Sequence, residues 1–373
     1  MKLHRSIFRR IAAAVTAVGL LMPAAGPTMA QSETAPVVAI DAGHQRKANM
    51  ELEPVGPGAN EKKMKVAGGA TGVATKKPEY ILTLEVSQLV QKKLTDLGYR
   101  VLMTREANEV DISNKKRAEL ANEANAELFV RIHADGDTSA ATKGISVLYP
   151  SASNPYTAAI YEDSKRAAEE MLAALVKETG ARSRGAVPRD DLSGFNWSKV
   201  PTVLVEMGFM SNPDEDKRMS EPAYQEKLAD GMVEGVVAYL AAKGRALQPE
   251  AADETMTLLA QTELYGKEGV RYVKTGVLLS PQQVRVFEKL GRWAHIRTWL
   301  GDRWVPTERA LSGEVIRKDG QYELTGTTPF YAWPSADSAP LGELAPQKVD
   351  MIAAWRGWLC VRTWLGESWI RTE

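Results

Sequence analysis

Three short apolar runs in this chain each end in a residue that can bind a metal or move a proton, and they limit the possible folds more than any other feature. Val37–Ile40 leads into Asp41, Ala42, Gly43 and His44. Leu128–Ile132 leads into His133, Ala134 and Asp135, and Thr202–Val205 ends in Glu206. Runs of this length and β-branched content read as strands. An open α/β sheet binds its ligands at the carboxyl ends of its strands. A lone histidine after a strand is ordinarily structural. This chain has only four histidines, and two of them occupy equivalent strand ends. That placement points to a metal-dependent active site.

Between residues 37 and 243 strands alternate with helices. The pattern predicts strands at 37–41, 100–104, 128–132, 144–149 and 202–206. Leu82, Val86, Leu89, Val90, Leu94 and Leu97 fall on one helix face, and Gly98 supplies the stop. Ile160, Met171, Leu172 and Leu175 mark a second helix before Gly180. Tyr224, Leu228, Val233, Val236 and Leu240 mark a third before Gly244. Strands joined by helices of this length imply βαβ units. The expected class is therefore α/β, with a mainly parallel, twisted sheet flanked by helices.

The character of the chain changes beyond residue 244. Residues 244–255 are polar, contain Pro249 and read as a linker. Eight of the nine tryptophans follow residue 290, and Trp293, Trp299 and Trp304 recur in matching surroundings as Trp358, Trp364 and Trp369. A repeat of roughly 65 residues, rich in alternating patterns and Gly/Pro turns, suggests small β-barrels in tandem. They are expected at 256–308 and 322–373, joined by a linker at 309–321. Small domains bury large aromatics, so most of these six tryptophans are expected in barrel cores. His295 has Cys360 as its counterpart and is not a shared functional residue.

Residues 1–30 have the layout of a secretory signal peptide. Lys2, Arg5, Arg9 and Arg10 form a basic start, Ile11–Met22 an apolar core, and Thr28, Met29 and Ala30 a small-residue cleavage region. The apolar stretch is short for a membrane span, so the mature chain is expected outside the cell without one. Formal net charge is +0, which gives no electrostatic case for nucleic acid. Cys360 is the only cysteine, so no intramolecular disulfide can form, and its apolar neighbours suggest a small buried residue.

A catalytic zinc commonly takes three protein ligands, His₂Glu among them, with a fourth position open to water. His44 and His133 supply two. Glu79 is the best candidate for the third, because it follows Pro78 and opens the helix that leaves the sheet's carboxyl edge. Glu51, Glu53 and Glu61 are rivals in an irregular stretch that extends to Lys77. That stretch contains Gly56, Gly58, Gly68, Gly69 and Gly72, and it either shapes a cleft or is a surface loop. Glu206 ends an apolar strand, where a carboxylate is costly without a partner or a task.

Five segments in order resemble the zinc-dependent N-acetylmuramoyl-L-alanine amidases that cut bacterial peptidoglycan. They are Ile40–His44, Glu79–Leu84, Met103–Glu106, Arg131–Ala134 and Pro201–Asn212. Where that family often has glycines after the first histidine, this chain has Gln45, Arg46 and Lys47. The resemblance implies a catalytic domain over 31–243 in which His44, Glu79 and His133 hold Zn2+ and Glu206 is the catalytic carboxylate. It also implies a secreted monomer acting at the cell wall, with peptidoglycan as both substrate and anchor. The tandem units resemble bacterial SH3-like domains, which would hold the enzyme to the wall. Two other functions use the same residues: a zinc peptidase on wall peptides, and a wall-binding protein without catalysis.

Overall fold

The computed structural model describes residues 34–279 and 281–372. The segment 1–30, read as a signal peptide, lies outside them. In chain order the α/β part runs β1 (Val37–Ala42), β2 (Asn49–Pro54), β3 (Lys62–Val66), α1 (Glu79–Asp96), β4 (Arg100–Met103), α2 (Asn114–Glu123), β5 (Leu128–Asp135) and β6 (Ile145–Pro150). It continues α3 (Tyr161–Thr179), β7 (Ser183–Arg189), α4 (Ser193–Asn196), β8 (Thr202–Phe209), α5 (Pro213–Met219) and α6 (Pro222–Ala242). Val38, Ala39 and Ile40 are fully buried. A strand apolar on both faces belongs at the centre of a sheet covered by helices on both sides.

Among the described residues that sheet has the order β4-β1-β5-β8-β6-β7. The neighbours β4, β1, β5 and β8 run parallel, and only the β6–β8 pairing is antiparallel. The sheet is thus mixed and mostly parallel. One core gathers Leu82, Val86, Val90 and Leu94 of α1, Met171 and Leu175 of α3, and Leu228, Met232 and Val236 of α6. Ala118 and Ala121 of α2 pack with Ala39 and Phe129 in a separate apolar cluster. The direction of β1, β5 and β8 brings their carboxyl ends to one edge.

Beyond α6 the chain is all-β. The first module comprises β9 (Glu250–Leu258), β10 (Thr262–Glu268), β11 (Arg271–Leu278), β12 (Gln282–Leu290), β13 (Trp293–Thr298), β14 (Gly301–Pro306) and β15 (Ala310–Ser312), in the sheet order β11-β10-β14-β13-β12-β9-β15. Its own core holds Leu258, Leu264, Val286, Ile296 and Val305. Leu290, Trp293 and Trp304 instead join the core of α1, α3 and α6. Tyr272 stacks on Trp293 with ring centres 3.9 Å apart. Arg292 N donates to the Asp96 carbonyl at 3.1 Å. Gly291, with φ of 55°, sits so near that a Cβ there would stand 2.4 Å from the Asp96 oxygen. The described residues up to Glu314 accordingly form one unit, and those from Val315 onward form another.

The second module comprises β16 (Ile316–Glu323), β17 (Thr328–Tyr331), β18 (Gly342–Leu344), β19 (Lys348–Trp355), β20 (Trp358–Thr363) and β21 (Gly366–Arg371). Its sheet order is β16-β19-β20-β21-β17-β18, around a core of Leu324, Phe330, Leu344, Leu359, Val361 and Ile370. Cys360 is buried.

Both stretches expected as linkers contain strand. β9 begins at Glu250 inside 244–255. β15 and most of β16 fall inside 309–321. The reason is composition: every described residue of β16 is exposed except Tyr322, and a strand with little buried face reads as loop. Of the six repeated tryptophans, Trp293, Trp304, Trp358 and Trp369 are buried. Trp299 and Trp364 are 70% and 68% exposed at the β13–β14 and β20–β21 turns.

Candidate metal centre

The site is built on a strained turn at the end of β1. Gly43 N donates to the Ile132 carbonyl at 2.9 Å. A Cβ at Gly43 would lie 2.4 Å from the His133 ring, so only glycine leaves room for that imidazole. His44 follows with φ of 60°, a left-handed conformation uncommon outside glycine. Such backbone persists only where its surroundings over-determine it, and here two buried arginines do so. Arg105 Nε donates to the Ala42 carbonyl at 2.8 Å and Nη2 to the Gly43 carbonyl at 3.0 Å. Arg117 Nη1 donates to Ala42 O at 2.8 Å and Nη2 to His44 O at 2.9 Å.

Beneath the turn, Asp41 is fully buried. It accepts from Arg117 Nη1 at 2.7 Å, Arg131 Nε at 2.9 Å and Thr104 Oγ1 at 2.5 Å. Burial pushes its carboxyl up, but the two guanidinium groups and the hydroxyl outweigh burial and hold it well below the usual carboxylate range.

Three donor atoms meet above this base. His44 Nε2 lies 3.2 Å from Glu79 Oε1 and 3.2 Å from His133 Nδ1, and His133 Nδ1 lies 3.1 Å from Glu79 Oε1. Donors at three corners of a tetrahedron, each ~2.0–2.1 Å from a central ion, stand about 3.3–3.4 Å apart. The observed triangle is within a few tenths of an ångström of that. A proton bridges one edge of such a triangle at a time, whereas a cation serves all three donors. The residues present therefore fit a divalent metal.

The protonation states of Glu79 and His133 agree. Burial raises Glu79, but hydrogen bonds and charge from His133 and His44 override it and keep the carboxylate ionised. Burial dominates at His133 and brings it down to about 4, so its imidazole is neutral at neutral pH. At His44 burial is outweighed by Glu79, and the pKa is raised. His44 Nδ1 faces the Ala67 carbonyl at 2.9 Å. A proton on Nδ1 leaves Nε2 as the ligating nitrogen, the second-shell arrangement that orients metal-bound imidazoles. His133 Nε2 is buried and has no hydrogen-bond partner among the described residues.

Glu206 stands in register with His133 on the neighbouring strand. Its Oε2 is shielded from solvent and has no hydrogen-bond partner among the described residues. Burial raises its pKa well above the ordinary glutamate value, and the negative charges of Glu79 and Asp135 raise it further. A carboxyl of high proton affinity beside a cation site is equipped to take and return a proton.

The structure brings His44, Glu79, His133 and Glu206 to one edge of the sheet. The rivals lie elsewhere: Glu51 pairs with Lys65 at 2.6 Å, Glu53 accepts from Lys115 N at 3.0 Å, and Glu61 lies in the turn between β2 and β3. Sequence reasoning passed over Asp41, Arg117 and Arg131 as parts of the site. A signal was present, since Asp41 and Arg131 sit inside apolar strands where an unpaired charge is costly.

The chain matches the family model for N-acetylmuramoyl-L-alanine amidase over residues 38–238. It is 30% identical over 242 residues to an N-acetylmuramoyl-L-alanine amidase of Mycobacterium tuberculosis, an alignment covering 61% of this chain and 99% of that protein. Among solved structures it resembles the amidase Ami1 of Mycobacterium smegmatis, at 30% identity and a TM-score of 0.51, covering 56% of this chain and 97% of that one. It also resembles apo Ami1 of Mycobacterium abscessus, at 33% identity and a TM-score of 0.51, covering 55% of this chain and 98% of that one.

Proposed function

This chain belongs to the N-acetylmuramoyl-L-alanine amidase family, and on that premise we propose that it is a secreted, zinc-dependent hydrolase acting as a monomer on peptidoglycan. The bond it cleaves joins the lactyl group of N-acetylmuramic acid to L-alanine of the stem peptide. The observation that carries this reading is the triangle of His44 Nε2, Glu79 Oε1 and His133 Nδ1 beside Glu206, whose buried Oε2 has no hydrogen-bond partner among the described residues.

His44, Glu79 and His133 would hold Zn2+. A bound zinc ion supplies a Lewis acid and lowers the pKa of water towards about 7. Glu206 takes a proton from the attacking water as general base, then delivers it to the departing alanine nitrogen as general acid. Its raised proton affinity suits the second transfer, and its register with His133 sets it on the strand beside one of the proposed ligands. Arg105 and Arg117 keep the His44 turn in place throughout.

No helix among the described residues is long and apolar enough to cross a membrane, which is compatible with export through the basic, apolar segment 1–30. The two β modules, read as SH3-like, add a second contact with the wall and raise the local substrate concentration. Mass analysis of digested peptidoglycan tests the reaction. Free stem peptides beginning with L-alanine are expected. Release of terminal amino acids would make the enzyme a peptidase instead.

A further inference from the structure

The glycine-bearing stretch 67–78 joins β3 to α1 and contacts the candidate ligands from behind. The Ala67 carbonyl accepts from His44 Nδ1 at 2.9 Å. Ala70 N donates to Glu79 Oε2 at 2.8 Å, and the Ala70 carbonyl accepts from Glu79 N at 3.0 Å. Val73 N donates to the Met210 carbonyl, just past β8, at 3.0 Å. Two of the three ligands thus take their second-shell bonds from this one stretch.

The far side of the stretch is fastened by α5. Asp216 is 1% exposed. Ala74 N and Thr75 N each donate to its Oδ2 at 2.7 Å, and Thr75 Oγ1 donates to its Oδ1 at 2.6 Å. Asn212 fixes the start of α5 by accepting from Asp214 N at 3.0 Å and Glu215 N at 3.2 Å. Gly72 passes so close that a Cβ there would stand 2.1 Å from Asp216 Oδ1. Bonds to a charged acceptor are about twice as strong as neutral ones, so three donors on one buried carboxylate fasten the stretch firmly.

We propose that residues 67–78 are a strap that holds His44 and Glu79 in ligating geometry, and that Asp216 is the positioning residue that fastens it. Neither Asp216 nor Gly72 touches the donor triangle; they act through Ala67 and Ala70. The inference rests on the metal reading above. Second-shell partners of this kind are typically worth about 10–100-fold in metal affinity.

The test follows the loss of Co2+ or Zn2+ from the purified chain to a chelator, with circular dichroism on the same samples to verify folding. Asp216→Asn and Gly72→Ala disturb the fastening from opposite sides. Each is expected to release metal on the order of ten- to a hundredfold faster than wild type. Thr75→Val removes one of the three bonds at an exposed position and should release metal several-fold faster, so a poorly folding Gly72→Ala does not end the test. In the background of Asp216→Ala, which removes the nearest atom an added methyl would meet and leaves Thr75 Oγ1 at 2.6 Å, Gly72→Ala should add less than it does in wild type. Wild-type release rates in well-folded Asp216→Asn and Thr75→Val would overturn the strap alone. A wild-type chain that binds no divalent metal would overturn the metal reading and the strap together.

Discussion

The two β modules share a sequence repeat and use it differently. In the first, Trp293 and Trp304 face away from the module's own core and complete the apolar core of α1, α3 and α6. In the second, Trp358 and Trp369 are equally buried, and Trp358 meets Tyr331 edge-on within the module, ring centres 5.4 Å apart. The turn before each first tryptophan carries the same contrast. Gly291 is pressed against the Asp96 carbonyl, while its counterpart Arg356 holds a left-handed φ of 40° as an arginine. A repeat thus fixes a strand pattern and a buried tryptophan pair without fixing what that pair packs against. What both copies leave exposed is the Trp-Leu turn, Trp299 with Leu300 and Trp364 with Leu365.

Substituting the paired tryptophans should break the comparison most sharply. Trp293→Ala is expected to cost about 3–5 kcal/mol, read as a lower melting temperature of the unit that carries the metal centre. Trp358→Ala should act on the melting of residues 315–373. Calorimetry separates the two, and equal shifts of one shared transition would contradict the division.

Acid should act first on the unit that contains Asp41. Its folded pKa lies below the unfolded value of about 3.9, so the stabilisation is present above that pH and is lost as pH falls through and below it. Asp41→Asn should cost about 3–5 kcal/mol at neutral pH, because Arg117 and Arg131 lose a buried partner. The gap between wild type and variant should narrow between roughly pH 4 and pH 2, as urea unfolding at several pH values would reveal. A gap constant over that range would contradict the role given to Asp41.

The smallest effects come from the turn itself. Gly291→Ala is expected to cost about 1–3 kcal/mol through its clash with the Asp96 carbonyl. Arg356→Gly should change stability by no more than about 1 kcal/mol, since relief of left-handed strain offsets added chain freedom. A neutral Gly291→Ala would mean that the close approach contributes little.

Much of the α/β part was legible in the sequence because β1, β5 and β8 are apolar on both faces and α1 repeats its apolar positions every three or four residues. Helix α2 was not, since Ala118 and Ala121 are almost its only apolar core residues and small side chains leave a faint pattern. The hairpin β2–β3 was missed because its only buried residues are Glu53 and Val66, and strand β16 because its residues are largely exposed. In the site, His44, His133 and Glu206 announce themselves by sitting at strand ends. Glu79 is visible only as a helix start, and its convergence with two histidines depends on where α1 leaves the sheet. The strap was readable as glycines alone. Its purpose depends on Asp216, about 140 residues away in the chain, and no local pattern encodes that contact.

The central assignment gives three residues to the metal and one to the proton. The most direct measurement is zinc content and product release on the same preparations of wild type, Glu206→Ala and His133→Ala. The expected result is equal zinc in wild type and Glu206→Ala, with release of L-alanine-terminated stem peptides slowed by roughly 10²–10⁴ in the latter, and zinc lost from His133→Ala. An active Glu206→Ala, or full zinc occupancy in His133→Ala, would contradict it.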